Sequence, residues 1–187
     1  GITENAGLNL SNGNANAIYG IYTGMVYLLC LPGGWVADNQ IGYQKSVIFG
    51  AITITLGHFI LALPMEQSFV IGLACVAIGT GLMKPNISSI VGQLYSADDP
   101  RRDAGFTIFY MSINIGSILG FTICGWLGER IGWHWGFGAA GFGMLIGLFQ
   151  FLYFRSWLGE VGKEPTALSE AKKRRYIYAA TITTVIL

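Results

Sequence analysis

One lysine stands by itself inside a long apolar stretch of the chain. Lys84 lies in the segment GTGLMKPNISS, eleven residues before Tyr95, where the stretch ends. In a helix that separation is about 16 Å, which is near the middle of a bilayer core of about 30 Å. A charge there costs at least about 2.5 kcal/mol, and it lies too deep for its side chain to reach the interface. We therefore expect Lys84 to serve a function and to face a polar cavity.

The ten acidic residues offer this lysine no partner within the apolar stretches, because all of them lie outside these stretches or at their edges. The partner is then a carboxylate on another helix, the carboxylate of a substrate, or a proton-coupled neutral state of the lysine. Each of the three implies a transport site. Pro85 supports a cavity here, because it removes a backbone hydrogen bond, bends the helix and would expose carbonyl groups.

Polar residues reach the same depth in two other apolar stretches. Tyr27 lies eleven residues before Asp38, and Asn114 lies ten residues after Ala104. Tyr27 could be an aromatic packing residue and Asn114 an interhelical hydrogen-bonding residue, but three polar groups near one plane favour a shared water-filled cavity. Three more residues fall on the same helical faces and are further cavity-lining candidates: Thr23, Tyr110 and Ser117.

Five apolar stretches must position these residues. The chain of 187 residues is 52% hydrophobic and 11% charged, whereas soluble domains carry about 25% charged residues. Each stretch is long enough to cross a bilayer as a helix, and none alternates as a barrel strand would. The predicted spans are residues 15–37, 46–63, 68–95, 104–128 and 132–154. The predicted fold class is all-α, a polytopic membrane helical bundle. We expect a protein of this kind to be a transporter and not an enzyme.

Basic residues predict the orientation of this bundle. Apart from Lys84, nine of the ten lysines and arginines lie in alternate loops, and short loops rich in them stay in the cytoplasm. Residues 1–14 then form an extracytoplasmic loop and residues 155–175 a cytoplasmic linker. Residues 176–187 begin a further apolar run that stops inside a predicted helix. We therefore expect this chain to be a piece of a longer protein of the cell membrane.

Other chemistries find little support in the composition. A net charge of +1 and scattered basic residues argue against a nucleic-acid partner. The three cysteines fall in apolar runs, with no CxxC spacing and no clustered histidine, so neither a metal nor a disulfide is expected. Glycines spaced four apart would let helix backbones approach closely. The pairs are Gly20 and Gly24, Gly116 and Gly120, and Gly143 and Gly147.

Three segments resemble a known family. GGWVADNQIG, residues 33–42, is similar to the loop between the second and third helices of major facilitator transporters. Its glycines, including Gly34 and Gly42, permit a tight turn, and Asp38 can cap a helix end or pair with an arginine. GTGLMKPN around Lys84 and RRDAGFTIFYMSINIGS, residues 101–117, look like the proton-dependent oligopeptide transporters of that superfamily. The spans would then be helices two to six, in the amino-terminal half of the fold.

The resemblance implies proton-coupled symport of di- and tripeptides, across the inner membrane in bacteria, with no cofactor and the proton as coupling ion. Lys84 would help to bind the peptide carboxyl end and would couple to protons, and Tyr27 and Asn114 would contact the peptide backbone. The partners would be small peptides, the lipid bilayer, and the first helix and carboxy-terminal half of the same protein. Two alternatives stay open: a same-family carrier of nitrate or another small solute, and a non-transporting membrane assembly subunit.

Overall fold

The computed structural model describes residues 11–165, which form helices joined by short turns. The predicted extracytoplasmic residues 1–10, the end of the predicted linker and the sixth apolar run lie outside the described residues. The α-helices of the described part are α1 Asn12–Leu28, α2 Cys30–Val36, α3 Tyr43–Leu61, α4 Glu66–Gln93, α5 Arg102–Arg130 and α6 Trp133–Phe154.

Five stretches of the described residues are helical, long and apolar enough to cross a membrane. They are Asn12–Ile41, Tyr43–Leu61, Gln67–Gln93, Arg102–Arg130 and Trp133–Leu158. The all-helical fold class is therefore confirmed. Helices also continue past the apolar residues where charges suit the helix dipole. In α5, Asp103 lies in the first turn and Arg130 in the last, which are the favourable ends for each sign.

The first span is interrupted near its end. α1 ends at Leu28 and α2 begins at Cys30, while Leu29 between them keeps a right-handed helical backbone. Pro32 explains the interruption, because it has no N–H to donate to the Leu28 carbonyl four residues earlier. Gly33 resumes the pattern by donating its N–H to the Leu29 carbonyl at 3.0 Å. The helix therefore continues past Pro32 with one backbone hydrogen bond missing.

The segment from residue 33 to 42, predicted to be a loop, is mostly helical. α2 continues into a π-helix, Ala37–Ile41, and Gly42 alone separates it from α3. Gly42 has a φ of +81°, a left-handed backbone that favours glycine, so a tight turn does occur at this residue. Gly34, in contrast, lies inside α2. The loop prediction was wrong because a glycine within a helix was interpreted as a turn residue.

α3 and α4 pack closely in an antiparallel crossing. A Cβ placed on Gly50 of α3 would lie 2.6 Å from the Gly79 carbonyl oxygen of α4. One placed on Gly72 of α4 would lie 2.9 Å from the Gly57 carbonyl oxygen of α3. The contacts are seven residues apart on both helices, which returns glycine to the same face after two turns. Small residues of this kind let membrane helices approach until their backbones touch.

The glycine pairs predicted from spacing do not mediate contacts within the described residues. An added Cβ would meet nothing within 4 Å at Gly20, Gly24, Gly116, Gly120, Gly143 or Gly147. That prediction was wrong for this part of the molecule. Spacing shows that a helix has a smooth face, but it carries no information about which face meets a neighbour.

α6 packs between α3 and α5. The rings of Phe59 in α3 and Phe142 in α6 meet edge to face, with centroids 5.4 Å apart. Gly136 of α6 lies against α5, where an added Cβ would come within 2.7 Å of the Cys124 carbonyl oxygen. α5 makes only a small contact with α4, and Gly128 is its one buried residue among those described. α5 therefore exposes most of its surface in the described part, as α1 does.

A short segment after α6 folds back onto the start of α3, and we name residues 159–163 the strap. The Gly162 carbonyl accepts the Gln44 backbone N–H at 2.8 Å, and the Val161 carbonyl accepts the Gln44 side-chain amide at 2.8 Å. The first bond satisfies an amide at the start of α3, where the N-cap residue Gly42 has no side chain to do so. The predicted linker therefore begins as an element docked on α3.

We predict that Gly50→Ala destabilises the protein, because its Cβ would strike the Gly79 carbonyl oxygen and force α3 and α4 apart. Overpacking of this kind costs about 1–3 kcal/mol. Gly143→Ala is the matched control, since no described residue lies within 4 Å of its added Cβ. Thermal denaturation of the detergent-purified full-length protein should show a lower transition temperature for Gly50→Ala only. Equal transition temperatures would contradict the observed crossing.

Candidate functional site

The structure brings Tyr27 of α1 and Lys84 of α4 together. The Lys84 ammonium nitrogen lies 4.4 Å from the centroid of the Tyr27 ring. At such a distance the cation is attracted to the electron-rich face of the ring by about 0.5–2 kcal/mol, depending on desolvation. Both side chains are exposed in the described part of the chain. The pair that shares a predicted depth is therefore a real contact and is accessible to a ligand.

The course of α4 past α1 and α2 depends on Pro85 and two glycines. Pro85 has no N–H, so the Gly81 carbonyl lacks its usual partner in the helix. That carbonyl packs directly against Gly33 of α2. Gly81 in turn packs against Leu29, whose carbonyl oxygen would lie 2.7 Å from an added Cβ. Lys84 therefore lies one turn from a crossing at which the helix backbones touch.

Asn86 and Ser46 form a buried polar junction beside this crossing, with 1% and 0% of their surfaces exposed. The Asn86 side-chain nitrogen donates to the Gly33 carbonyl at 3.2 Å, the Ser46 hydroxyl at 2.8 Å and the Leu82 carbonyl at 2.7 Å. Ser46 donates to the same Leu82 carbonyl at 3.1 Å. α2, α3 and α4 thus meet at one amide. The sequence analysis missed it, although an asparagine beside a proline within a span was a usable signal.

Lys84 has no salt-bridge partner among residues 11–165. Its ammonium group makes a cation–π contact with the Tyr27 ring. An ammonium group has three N–H donors and no acceptor, and a ring face leaves most of that capacity unused. A carboxylate satisfies it best, through short charge-assisted hydrogen bonds. The geometry therefore suits the binding of an anionic group of a ligand.

Asn114 is not brought to this pair within the described residues. It lies on α5, which packs mainly on α6, and its exposed side chain makes no hydrogen bond to Tyr27 or Lys84. Equal depth in a bilayer does not bring Asn114 to Lys84, because α5 meets α4 only slightly, near their connecting loop, where Gly105 packs on Tyr95. The role predicted for Asn114 stays a prediction.

The three additional cavity candidates lie on α1 and α5. Thr23 is half-buried, one turn before Tyr27. Tyr110 is exposed and stacks on Phe106, with ring centroids 6.3 Å apart. Ser117 donates its hydroxyl to the Ile113 carbonyl at 3.0 Å, a bond within its own helix. Thr23 is therefore the one of the three that shares a helix with Tyr27.

Asp38 is half-buried within the π-helix, and no salt bridge reaches it among the described residues. It does not cap α3, because the N-cap residue of α3 is Gly42, four residues later. The strap supplies the bond to Gln44 there instead. The capping prediction was wrong for α3, since the chain stays helical beyond Asp38. Its pairing with an arginine stays a prediction.

An apolar groove of about 430 Å³ lies near the polar pair, between α1 and the first half of α4. Tyr22, Met25, Phe69 and Leu73 are among the residues that line it. Its surface is almost wholly apolar, so it suits hydrocarbon and offers nothing to recognise a charge. We therefore assign the chemistry to Tyr27 and Lys84 and not to the groove.

The loop between α4 and α5 contains an ion pair at Asp99. This carboxylate accepts two hydrogen bonds from the Arg101 guanidinium, at 2.8 and 3.1 Å, and one from the Arg101 backbone N–H at 2.9 Å. These bonds lower the pKa of Asp99 from 3.8 to about 2. Because the pKa is lowered on folding, the pair contributes its full stability above the unfolded value. That contribution is lost as pH falls through about 2.

The fold and the site together define a class of protein. Its spans are apolar helices, and a lysine from one of them meets an aromatic ring from another at a place open to an anionic ligand. Such an arrangement is typical of multi-pass membrane carriers, in which intramembrane charges mark the path of a solute.

Comparison with known proteins narrows this class. A sequence model of the POT family matches residues 44–186. A di-/tripeptide transporter of Lactococcus lactis subsp. cremoris is 44% identical over 186 residues, which are 98% of this chain and 37% of that protein. A peptide transporter of Yersinia enterocolitica is 48% identical over 151 residues, covering 79% of this chain and 30% of that protein. The chain belongs to the POT family and spans 37% and 30% of the lengths of these two relatives.

Solved structures agree with this assignment. The crystal structure of a peptide transporter POT in complex with sulfate superposes with a TM-score of 0.85 at 40% identity, over 96% of this chain and 37% of that one. A POT family transporter in complex with 5-aminolevulinic acid gives a TM-score of 0.83 at 40% identity, over 96% and 38%. The helical arrangement described above is therefore that of a POT transporter.

We predict that the Asp99–Arg101 pair does not titrate between pH 5 and pH 8, because the pKa of Asp99 is about 2. Asp99→Asn should therefore change the thermal transition by the same small amount at both pH values. Glu160→Gln, which removes the exposed pair with Lys163, is the matched control. A loss that appears at pH 8 but not at pH 5 would contradict the assigned pKa. Scanning fluorimetry of the full-length protein makes the comparison.

Proposed function

We propose that the full-length protein carries di- and tripeptides across a membrane, with Lys84 binding the peptide carboxyl group. The observation that carries this proposal is the Lys84 ammonium, which lies over the Tyr27 ring and has no salt bridge among residues 11–165. A peptide brings the carboxylate that the ammonium requires. The resulting bond exists only with substrate present, so it provides binding energy that an internal salt bridge would remove.

The relatives support this substrate class. Those from Lactococcus and Yersinia are di-/tripeptide and peptide transporters. Similar solved structures hold a thioalcohol-conjugated peptide and 5-aminolevulinic acid. The latter carries an amine and a carboxylate in one short chain, as a peptide does at its termini. We infer that Lys84 and Tyr27 recognise the carboxylate end of such molecules.

We further propose that protons drive this transport, as the family resemblance implies. The coupling ion requires a group that gains and loses a proton near the substrate site, and no described carboxylate forms a salt bridge with Lys84. That group would then belong to the parts of the full-length protein beyond this chain, which spans 37% of its Lactococcus relative. No cofactor is needed. The bacterial relatives favour the inner membrane as its location.

We predict that proteoliposomes containing the full-length protein accumulate a labelled dipeptide when an inward proton gradient is imposed. A protonophore should abolish accumulation, because the gradient supplies the driving force. Accumulation that persists after the gradient collapses would refute proton coupling. Excess unlabelled nitrate should not compete; strong competition by nitrate would indicate a carrier of other solutes.

We predict that Lys84→Ala abolishes gradient-driven uptake while the protein still accumulates in the membrane, because the substrate carboxylate loses its cation. The contributions of the Tyr27 ring and of its hydroxyl can be tested with separate variants. Tyr27→Phe keeps the aromatic face, whereas Tyr27→Leu removes it and should raise KM about threefold to tenfold more than Tyr27→Phe does. Equal defects in the two Tyr27 variants would show that the hydroxyl, and not the ring face, serves the site.

A further inference from the structure

The burial of the polar Asn86 side chain is energetically unfavourable. The side chain is 1% exposed, and its carbonyl oxygen has no hydrogen-bond partner among the described residues. A buried amide with an unpartnered oxygen is less stable than an apolar side chain that fills the same space. Packing alone therefore does not explain this asparagine. Its three donor contacts are what an apolar residue could not supply.

These contacts join α4 to two other helices at one level. The nitrogen of Asn86 reaches Gly33 in α2 and Ser46 in α3, and it also bonds Leu82 in its own helix. An amide has two N–H groups for three acceptors, so at least one bond is shared. The junction is therefore sensitive to small displacements of any of the three helices.

The junction lies at the level where α4 lacks a backbone hydrogen bond. Pro85 precedes Asn86 and deprives the helix of one backbone hydrogen bond at this level. Residues two apart on a helix point about 200° away from each other. Asn86 thus faces α2 and α3, while Lys84 faces Tyr27 on the other side of α4. A rotation or shift of α4 at the proline would move the ammonium relative to the ring.

We propose that Asn86 is a positioning residue for Lys84. Its amide fixes α4 against α2 and α3 beside Pro85 and so sets where the Lys84 ammonium stands relative to Tyr27. Asn86 does not touch the ligand in this arrangement. The part of the proposal that concerns peptide affinity rests on the proposed function, but the position of Lys84 can be measured without it.

The direct test measures the proximity of residues 27 and 84 in the full-length protein. Tyr27→Cys and Lys84→Cys are introduced together after the native cysteines are replaced by serine, and a short bismaleimide cross-links the two thiols in membranes. Adding Asn86→Ala should slow cross-linking by about tenfold, as expected when a buried multidentate amide is lost. Ser89→Ala is the matched control, because within residues 11–165 its hydroxyl bonds only the Pro85 carbonyl of its own helix, at 3.1 Å. An unchanged rate with Asn86→Ala would overturn the proposal.

Asn86→Ala could fail to fold, so a milder variant provides a second test. Ser46→Ala removes the α3 side of the junction and leaves the bond to Gly33 intact. It should slow cross-linking about threefold, because Asn86 loses one of its three acceptors while the bond that Ser46 donates to Leu82 is also lost. Elution as a single symmetric peak in size-exclusion chromatography verifies folding. If Asn86→Ala is unfolded and Ser46→Ala cross-links at the parent rate, Asn86 serves stability alone and the proposal is wrong.

Transport supplies an independent readout on the protein with Tyr27 and Lys84 intact. Asn86→Ala should raise KM for a dipeptide about tenfold and change the maximal rate per folded molecule much less, because the cation is displaced rather than removed. Ser89→Ala should leave both constants unchanged. A loss of maximal rate at constant KM would count against positioning. If the parent itself takes up no dipeptide, the proposed function fails, while the cross-linking rates still decide the role of Asn86.

Discussion

A carbonyl group freed by proline inside a membrane helix must be accommodated without water, and the packing around α4 follows from this constraint. Pro85 leaves the Gly81 carbonyl without its partner in the helix. The carbonyl meets the backbone of Gly33, where any side chain would collide with it. A glycine is therefore required on α2, and the two helices come close enough for Asn86 to reach the Gly33 carbonyl. The proline in α4 thus lies one turn from the closest contact of this helix with α2.

The candidate site is a consequence of this close approach. α1 and α2 follow one helical path apart from the interruption at Leu29, so the crossing at Gly33 also places α1 beside α4. Tyr27 then lies over the Lys84 ammonium at 4.4 Å. The lysine is left without a salt bridge in the described part, and its binding capacity stays available to a ligand. Strong backbone packing on one side of α4 supports an open polar group on another.

The sequence correctly predicted that Lys84 and Tyr27 lie at one level, but it predicted neighbouring helices poorly. Counting residues from a charged end placed Lys84 and Tyr27 at one level, because the rise of a helix is constant. The same count placed Asn114 there too, yet α5 lies mainly against α6. The strap was not predictable either, because backbone carbonyls bind Gln44 and every residue type has one. Contacts that depend on the backbone leave little trace in the sequence beyond glycine and proline.

α2 connects the candidate site to the turn at Gly42. Residues 33–42, which resemble a major facilitator motif, therefore link these two parts of the structure. In the middle of α2, Gly33 touches Gly81 and accepts a hydrogen bond from Asn86. Beyond the end of α2, past the π-helix, Gly42 packs against the strap, where an added Cβ would lie 2.6 Å from the Lys163 carbonyl oxygen. α2 has only seven residues, about 10 Å of helix. A displacement of the turn that carries α2 with it would therefore move the Gly33 carbonyl that helps to hold Asn86. The strap packs against that turn, so if Asn86 positions Lys84 as we propose, the segment that follows α6 would also influence this lysine.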